Sequence, residues 1–154
     1  MIQNLSTVLN AEFSLKEIPD SIPADIRPLW RILLCLMILN FSRAGTASLK
    51  KLQVLSWILT NCENFDLVME ALENDLAKKK LVVRYDPALD RALDFAIGEG
   101  LVEHTSSAKY KLTDKGRKIF KDFKETEIMA KEMRFVIENG SKFTEATVTN
   151  LLNW

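Results

Sequence analysis

The stretch YDPALDRALDFAIGEGLVEHTSSAKYKLTDKGRKIF, from Tyr85 to Phe120, constrains the fold more than any other part of the chain. Its hydrophobic period switches from helical to alternating and back within 36 residues. Asp86 can accept a free N–H of a helix's first turn, and Pro87 fits the position behind it, where a missing N–H is no loss. Leu89, Leu93, Ala96 and Ile97 then mark one buried helix face, and Gly98 and Gly100 end it. LVEH (Leu101 to His104) and KYKLT (Lys109 to Thr113) alternate as two strands around a Thr-Ser-Ser-Ala turn, which predicts a β-hairpin. Thr113 caps a further helix, expected from near Lys115 to about Asn139, where Gly140 breaks it.

The segments before this stretch are helical. Pro28 opens a helix to about Ser42 in which Trp30, Ile32 through Leu39 and Phe41 leave almost no polar face. Such a helix is enclosed on all sides, by this chain or by another. After a turn at Arg43 to Thr46, Ser48 caps a helix from Leu49 to about Asn61, and a third runs from Phe65 to Lys78, closed by Lys78, Lys79 and Lys80. LVVRY (Leu81 to Tyr85) has the composition of a strand. Residues 1–25 form an acidic, loosely structured N-terminal arm carrying Leu5, Val8, Leu9, Phe13 and Ile18, and TEATVTNLLNW reads as a short last helix with Val148, Leu151 and Leu152 on one side. The order is helix, helix, helix, strand, helix, strand, strand, helix. It predicts a mainly α fold with a small β wing, a winged helix-turn-helix: the arm at 1–25, the winged-helix domain at 26–124 and a C-terminal helical extension at 125–154.

Composition narrows the class. With 47% hydrophobic residues in 154, the chain can bury a core without disulfides or metal. Cys35 lies in an apolar run and is read as a small core residue, while Cys62 is either partly buried or free. The N-terminus has no basic segment followed by an apolar run, and LLCLMIL is far short of the ~18 residues of a membrane span, so a cytoplasmic protein with no membrane partner is expected. The single histidine, His104, has no ligand neighbours at metal spacing. The five glycines form no phosphate loop. Carboxylate pairs such as Glu70 with Glu73 sit on ordinary helical faces, and Thr105, Ser106 and Ser107 have no local base. The expectation is a non-enzyme without catalytic residues, cofactor or metal.

Formal net charge is zero, which is unusual for a dedicated nucleic-acid binder and favours association. The balance hides two poles. Residues 63–100 carry nine acids and five bases, whereas Thr105 to Lys124 carries seven cations and two carboxylates. In the helix opened by Pro87, Asp86, Asp90 and Asp94 are spaced four apart and share a face. Sequence readout in the major groove requires donors close to phosphates, and an acidic stripe opposes that. The stripe is read as a solvated face or as a docking surface for a basic partner, with Val148, Leu151 and Leu152 as a second docking surface. Lys109, Lys111, Lys115 and Lys118 are the residues expected to face DNA, on its backbone and without sequence preference.

RPLWRILLCLMIL, SLKKLQVLSWIL, VVRYDPALDRALDFAIGEGLVE and KYKLTDKGRKIF together resemble the middle components of bacterial ABC-three-component systems, of which the Lamassu anti-phage systems are the best described. The resemblance covers roughly Arg27 to Phe123. It implies a small, kite-like winged-helix subunit without catalytic function. Its partners would be an SMC-like ABC ATPase and a nuclease-type effector, which it would bridge in anti-phage or anti-plasmid defence. The other reading open to the residues is a stand-alone, dimeric winged-helix transcription regulator.

Overall fold

The helix at Pro28–Phe41 (α1) is the axis around which the other elements are laid. In the computed structural model, which describes residues 27–74 and 81–152, the six residues from Leu34 to Leu39 are all buried. Their enclosure comes from this chain itself: α1 packs against four of the later helices and against the sheet. The arm at 1–25, the lysine triplet 78–80 and the last two residues lie outside the described residues.

The remaining elements follow in order. Thr46–Ala47 (β1) precedes Leu49–Thr60 (α2) and Glu63–Glu73 (α3). Pro87–Gly98 (α4), Val102–His104 (β2), Tyr110–Leu112 (β3) and Asp114–Lys124 (α5) come next, then Ala130–Asn139 (α6) and Glu145–Leu152 (α7). The described fold is thus mainly helical, with one small antiparallel sheet of order β1-β3-β2. Among the described residues no helix is long and apolar enough to cross a membrane.

The local signals act as expected at three caps. Ser48, Asp86 and Thr113 accept the backbone N–H of Lys51, Ala88 and Gly116, at 3.1, 3.0 and 3.1 Å. Thr113 also points its hydroxyl at Gly100 O, 2.7 Å away, and Leu101 O, 3.0 Å away, tying the start of α5 to the entry of β2. That junction requires Gly116: a Cβ there would lie 2.2 Å from Leu101 O.

Three expectations are corrected. Leu81 to Tyr85 forms no strand, and the edge of β3 away from β2 is taken by β1, with Thr46 opposite Lys111 and Ala47 opposite Tyr110. The backbone at Asp86 is instead held by a side chain. Gln53 on α2 accepts the Asp86 N–H at 2.9 Å, donates to Asp86 O at 3.1 Å and donates to Asp90 Oδ1 at 3.0 Å. The third helix stops at Glu73, before the expected Lys78. The long helix from Lys115 to Asn139 is two helices. Thr126 turns its hydroxyl to Phe123 O at 2.7 Å, competing for the backbone at the end of α5, and Met129 enters the left-handed region at φ 59° with its side chain buried. The break lets both amphipathic faces meet the core: Phe120 and Phe123 of α5, and Phe135 and Val136 of α6.

The C-terminal segment shares this core. Phe135 of α6 stacks on Phe65 of α3 at 4.2 Å between ring centres, Phe143 is almost fully buried, and α7 packs against α2.

Candidate functional site

The hairpin and α5 gather the basic residues. The β2–β3 register places Glu103 opposite Lys111, and Lys111 Nζ lies 3.1 Å from Glu103 Oε1. Lys115 Nζ donates to Glu99 O at 2.6 Å, a cation at the negative end of α4. Lys109 is half-buried, its backbone N–H held by the Thr105 hydroxyl at 3.1 Å. Lys118 is exposed and has no protein partner among the described residues. Of the four lysines expected to face DNA, Lys109 and Lys118 keep uncommitted ammonium groups, while Lys111 and Lys115 carry protein partners at the surface.

Asp86, Asp90 and Asp94 do share α4, but they do not form one open acidic face. Asp86 caps the helix and accepts from Arg31 Nε at 2.7 Å. Asp90 accepts from Gln53 and from the Tyr85 hydroxyl. Only Asp94 of the three is exposed. The outward residues of α4 and its end are Arg91, Asp94, Phe95 and Glu99, and Phe95 keeps 61% of its surface in solvent. Four-residue spacing locates the carboxylates on one face; it carries no sign of the Gln53 and Arg31 donors that reach two of them from other helices.

The residues of the second expected docking surface lie in the core of this chain. Val148 and Leu151 are 0% and 2% exposed inside this chain's own core, and Leu152 is half-buried against it. An amphipathic stripe looks the same whether its partner is another chain or α2.

Two charged groups near α2 escaped the sequence reading. Lys51 is buried, and burial, first, with Lys109 nearby, moves its ammonium below its ordinary pKa against the opposing pull of Glu145. Glu145, in the first turn of α7, accepts both the Ser48 N–H at 2.9 Å and the Ser48 hydroxyl at 2.7 Å. Burial disfavours its charged form, but these two bonds with the fields of Lys109 and Lys51 outweigh that and hold the carboxyl below its ordinary value. For Lys51 a signal existed, since it lies four and seven residues before Leu55 and Ile58 on a buried face. For Glu145 there was none, because its partner is 97 residues away.

Comparison with protein-family models, with curated proteins and with solved structures finds no significant match.

Proposed function

We propose that the chain is a winged-helix bridging subunit: a non-catalytic component of an SMC-like ABC ATPase complex in bacterial anti-phage or anti-plasmid defence, linking the ATPase to a nuclease-type effector. The observation that carries this reading is the outer face of α4. In a winged helix that reads duplex sequence, the helix before the hairpin enters the major groove and offers Arg, Lys, Asn or Gln to the bases. Here that helix offers Arg91, Asp94, Phe95 and Glu99. Two carboxylates oppose the approach of phosphates, whereas an exposed aromatic ring beside mixed charges suits a protein interface, where such rings act as anchors. The order α4, hairpin, α5, with β1 closing the sheet, supports the winged-helix assignment. The partner class rests on the resemblance of Arg27 to Phe123.

DNA, in this reading, is touched by the hairpin and α5 on its backbone alone. Lys111→Glu with Lys118→Glu alters two exposed positions and leaves the core intact. In the assembled complex it should weaken retention of duplex DNA at low salt and flatten the salt dependence of binding. An unchanged salt slope removes the DNA-facing role. A homodimer of this chain that holds one duplex sequence by itself would instead establish a transcription regulator.

A further inference from the structure

A cleft of about 560 Å³ opens where the end of α1, β1, the first turn of α2 and the start of α7 converge. Three cations line it: Arg43, Lys51 and Lys109. Lys51 is the unusual one. Only 6% of its surface is exposed, and among the described residues its ammonium has neither a hydrogen bond nor an ion pair. Lys51 lines the cleft together with Lys109 and Glu145. Burying a charge without a partner is costly, and such a group is normally paired. Glu145, which lines the cleft, turns its two oxygens to Ser48 at the start of α2 and makes no ion pair with Lys51, so it acts on the ammonium as a neighbouring charge and not as a contact partner.

The surroundings are held in place. The β1–β3 pairing fixes the strand that follows Lys109 beside Thr46 and Ala47, and the Thr105 hydroxyl holds the Lys109 backbone. Arg43 begins a tight turn whose next residue, Ala44, is left-handed at φ 55°. The hydroxyl residues Ser141 and Thr144 stand on the other wall. Arg117 of α5 lies over Gly45, two residues after Arg43, its Nη2 only 2.9 Å from where a Cβ would be.

We propose that this cleft binds a phosphoryl group, with Lys51 as the buried anchor and Arg43 and Lys109 closing on it from the rim. Arg43, Lys51 and Lys109 against Glu145 leave the cleft two positive charges in excess, which matches a tetrahedral anion of up to two charges. A single carboxylate would leave one positive charge unbalanced. The phosphoryl group belongs either to a phosphate monoester or to a nucleic-acid backbone diester. The site stands on the isolated chain and needs no ATPase partner, so its failure and that of the bridging reading are separable.

The test is calorimetric titration of the full chain at low salt with inorganic phosphate, with a 5′-phosphorylated dinucleotide, and with an unphosphorylated 12-nucleotide single-stranded DNA. The wild type should bind, and Lys51→Met should weaken binding by about tenfold or more, as expected when a charged hydrogen-bonding partner is removed. Lys131→Gln, on the exposed side of α6, serves as the control and should bind as the wild type does. Binding of phosphate and dinucleotide without the longer strand assigns a monoester site. Binding of the strand that is lost in Lys51→Met assigns a backbone site. If Lys51→Met does not fold, Arg43→Gln, at an exposed position, carries the same prediction. No binding of any probe by the wild type at millimolar concentration, or equal binding by the folded variants, overturns the site.

Discussion

Gln53→Ala should be among the most damaging substitutions of a polar side chain in this protein. Gln53 is 6% exposed, and its amide does for residue 86 what a neighbouring strand would do, accepting from the N–H and donating to the C=O of the same peptide position. It also donates to Asp90. Truncation removes two neutral hydrogen bonds, worth about 1 kcal/mol each, and one to a carboxylate worth about 1.5–3 kcal/mol in a buried setting. Asp86 and Asp90 are half-buried, so water replaces part of the loss, and a net cost of about 2–4 kcal/mol follows. At about 2–4 °C per kcal/mol for a chain of this size, Tm falls by roughly 5–15 °C. Gln53→Glu keeps the acceptor but loses the donor and sets a second carboxylate against Asp90, so at neutral pH it should cost at least as much. Urea unfolding followed by circular dichroism measures both. Two variants within about 0.5 kcal/mol of the wild type would refute the idea that this side chain latches Asp86 to α2.

Leu151→Ala, at a residue 2% exposed, should cost about 2–5 kcal/mol in the chain alone, read by the same unfolding curves; a negligible cost would return α7 to the role of a docking surface. In native buffer a maleimide should label Cys62, which is exposed, and spare Cys35 until the protein unfolds, because burial, with Asp86 adding and Arg31 opposing, pushes the Cys35 thiol up to about 12. Equal labelling rates would contradict that burial. Glu145 has its pKa lowered in the fold, so the folded state binds fewer protons than the unfolded state in the window below 4.5. The stability it adds is present above 4.5 and is lost as pH falls through its depressed value; unfolding curves of the wild type against Glu145→Gln should converge there and diverge at neutral pH.

Signals carried by a few adjacent residues were legible. The caps at Ser48, Asp86 and Thr113, the prolines that open α1 and α4, and the hairpin between Val102 and Leu112 each depend on neighbours within four residues or on one alternating pair. Pairings across long separations were not. β1 is two residues long and exists because Thr46 and Ala47 meet β3, some 65 residues on. Leu81 to Tyr85 has strand composition, yet it forms no strand, and the backbone of Asp86 that follows it is held by a glutamine side chain on α2. The division of α5 from α6 carries a hydroxyl bond at Thr126 and a left-handed residue at Met129, neither of which propensity registers. At the surface, spacing found the basic hairpin and the aspartates of α4, but could not tell an open charge from one engaged by Arg31 or Gln53. Lys51 interrupts an apolar face and was visible in principle; that its ammonium has no partner is a property of three dimensions.

The bridging role is tested most directly by tagging this protein, expressing it at native level in its own host and identifying what copurifies. A large coiled-coil ABC ATPase should arrive in near-stoichiometric amount and be lost when Phe95→Asp alters the exposed face of α4 without touching the core. A homodimer that arrives alone, holding a specific duplex, would contradict the bridging role.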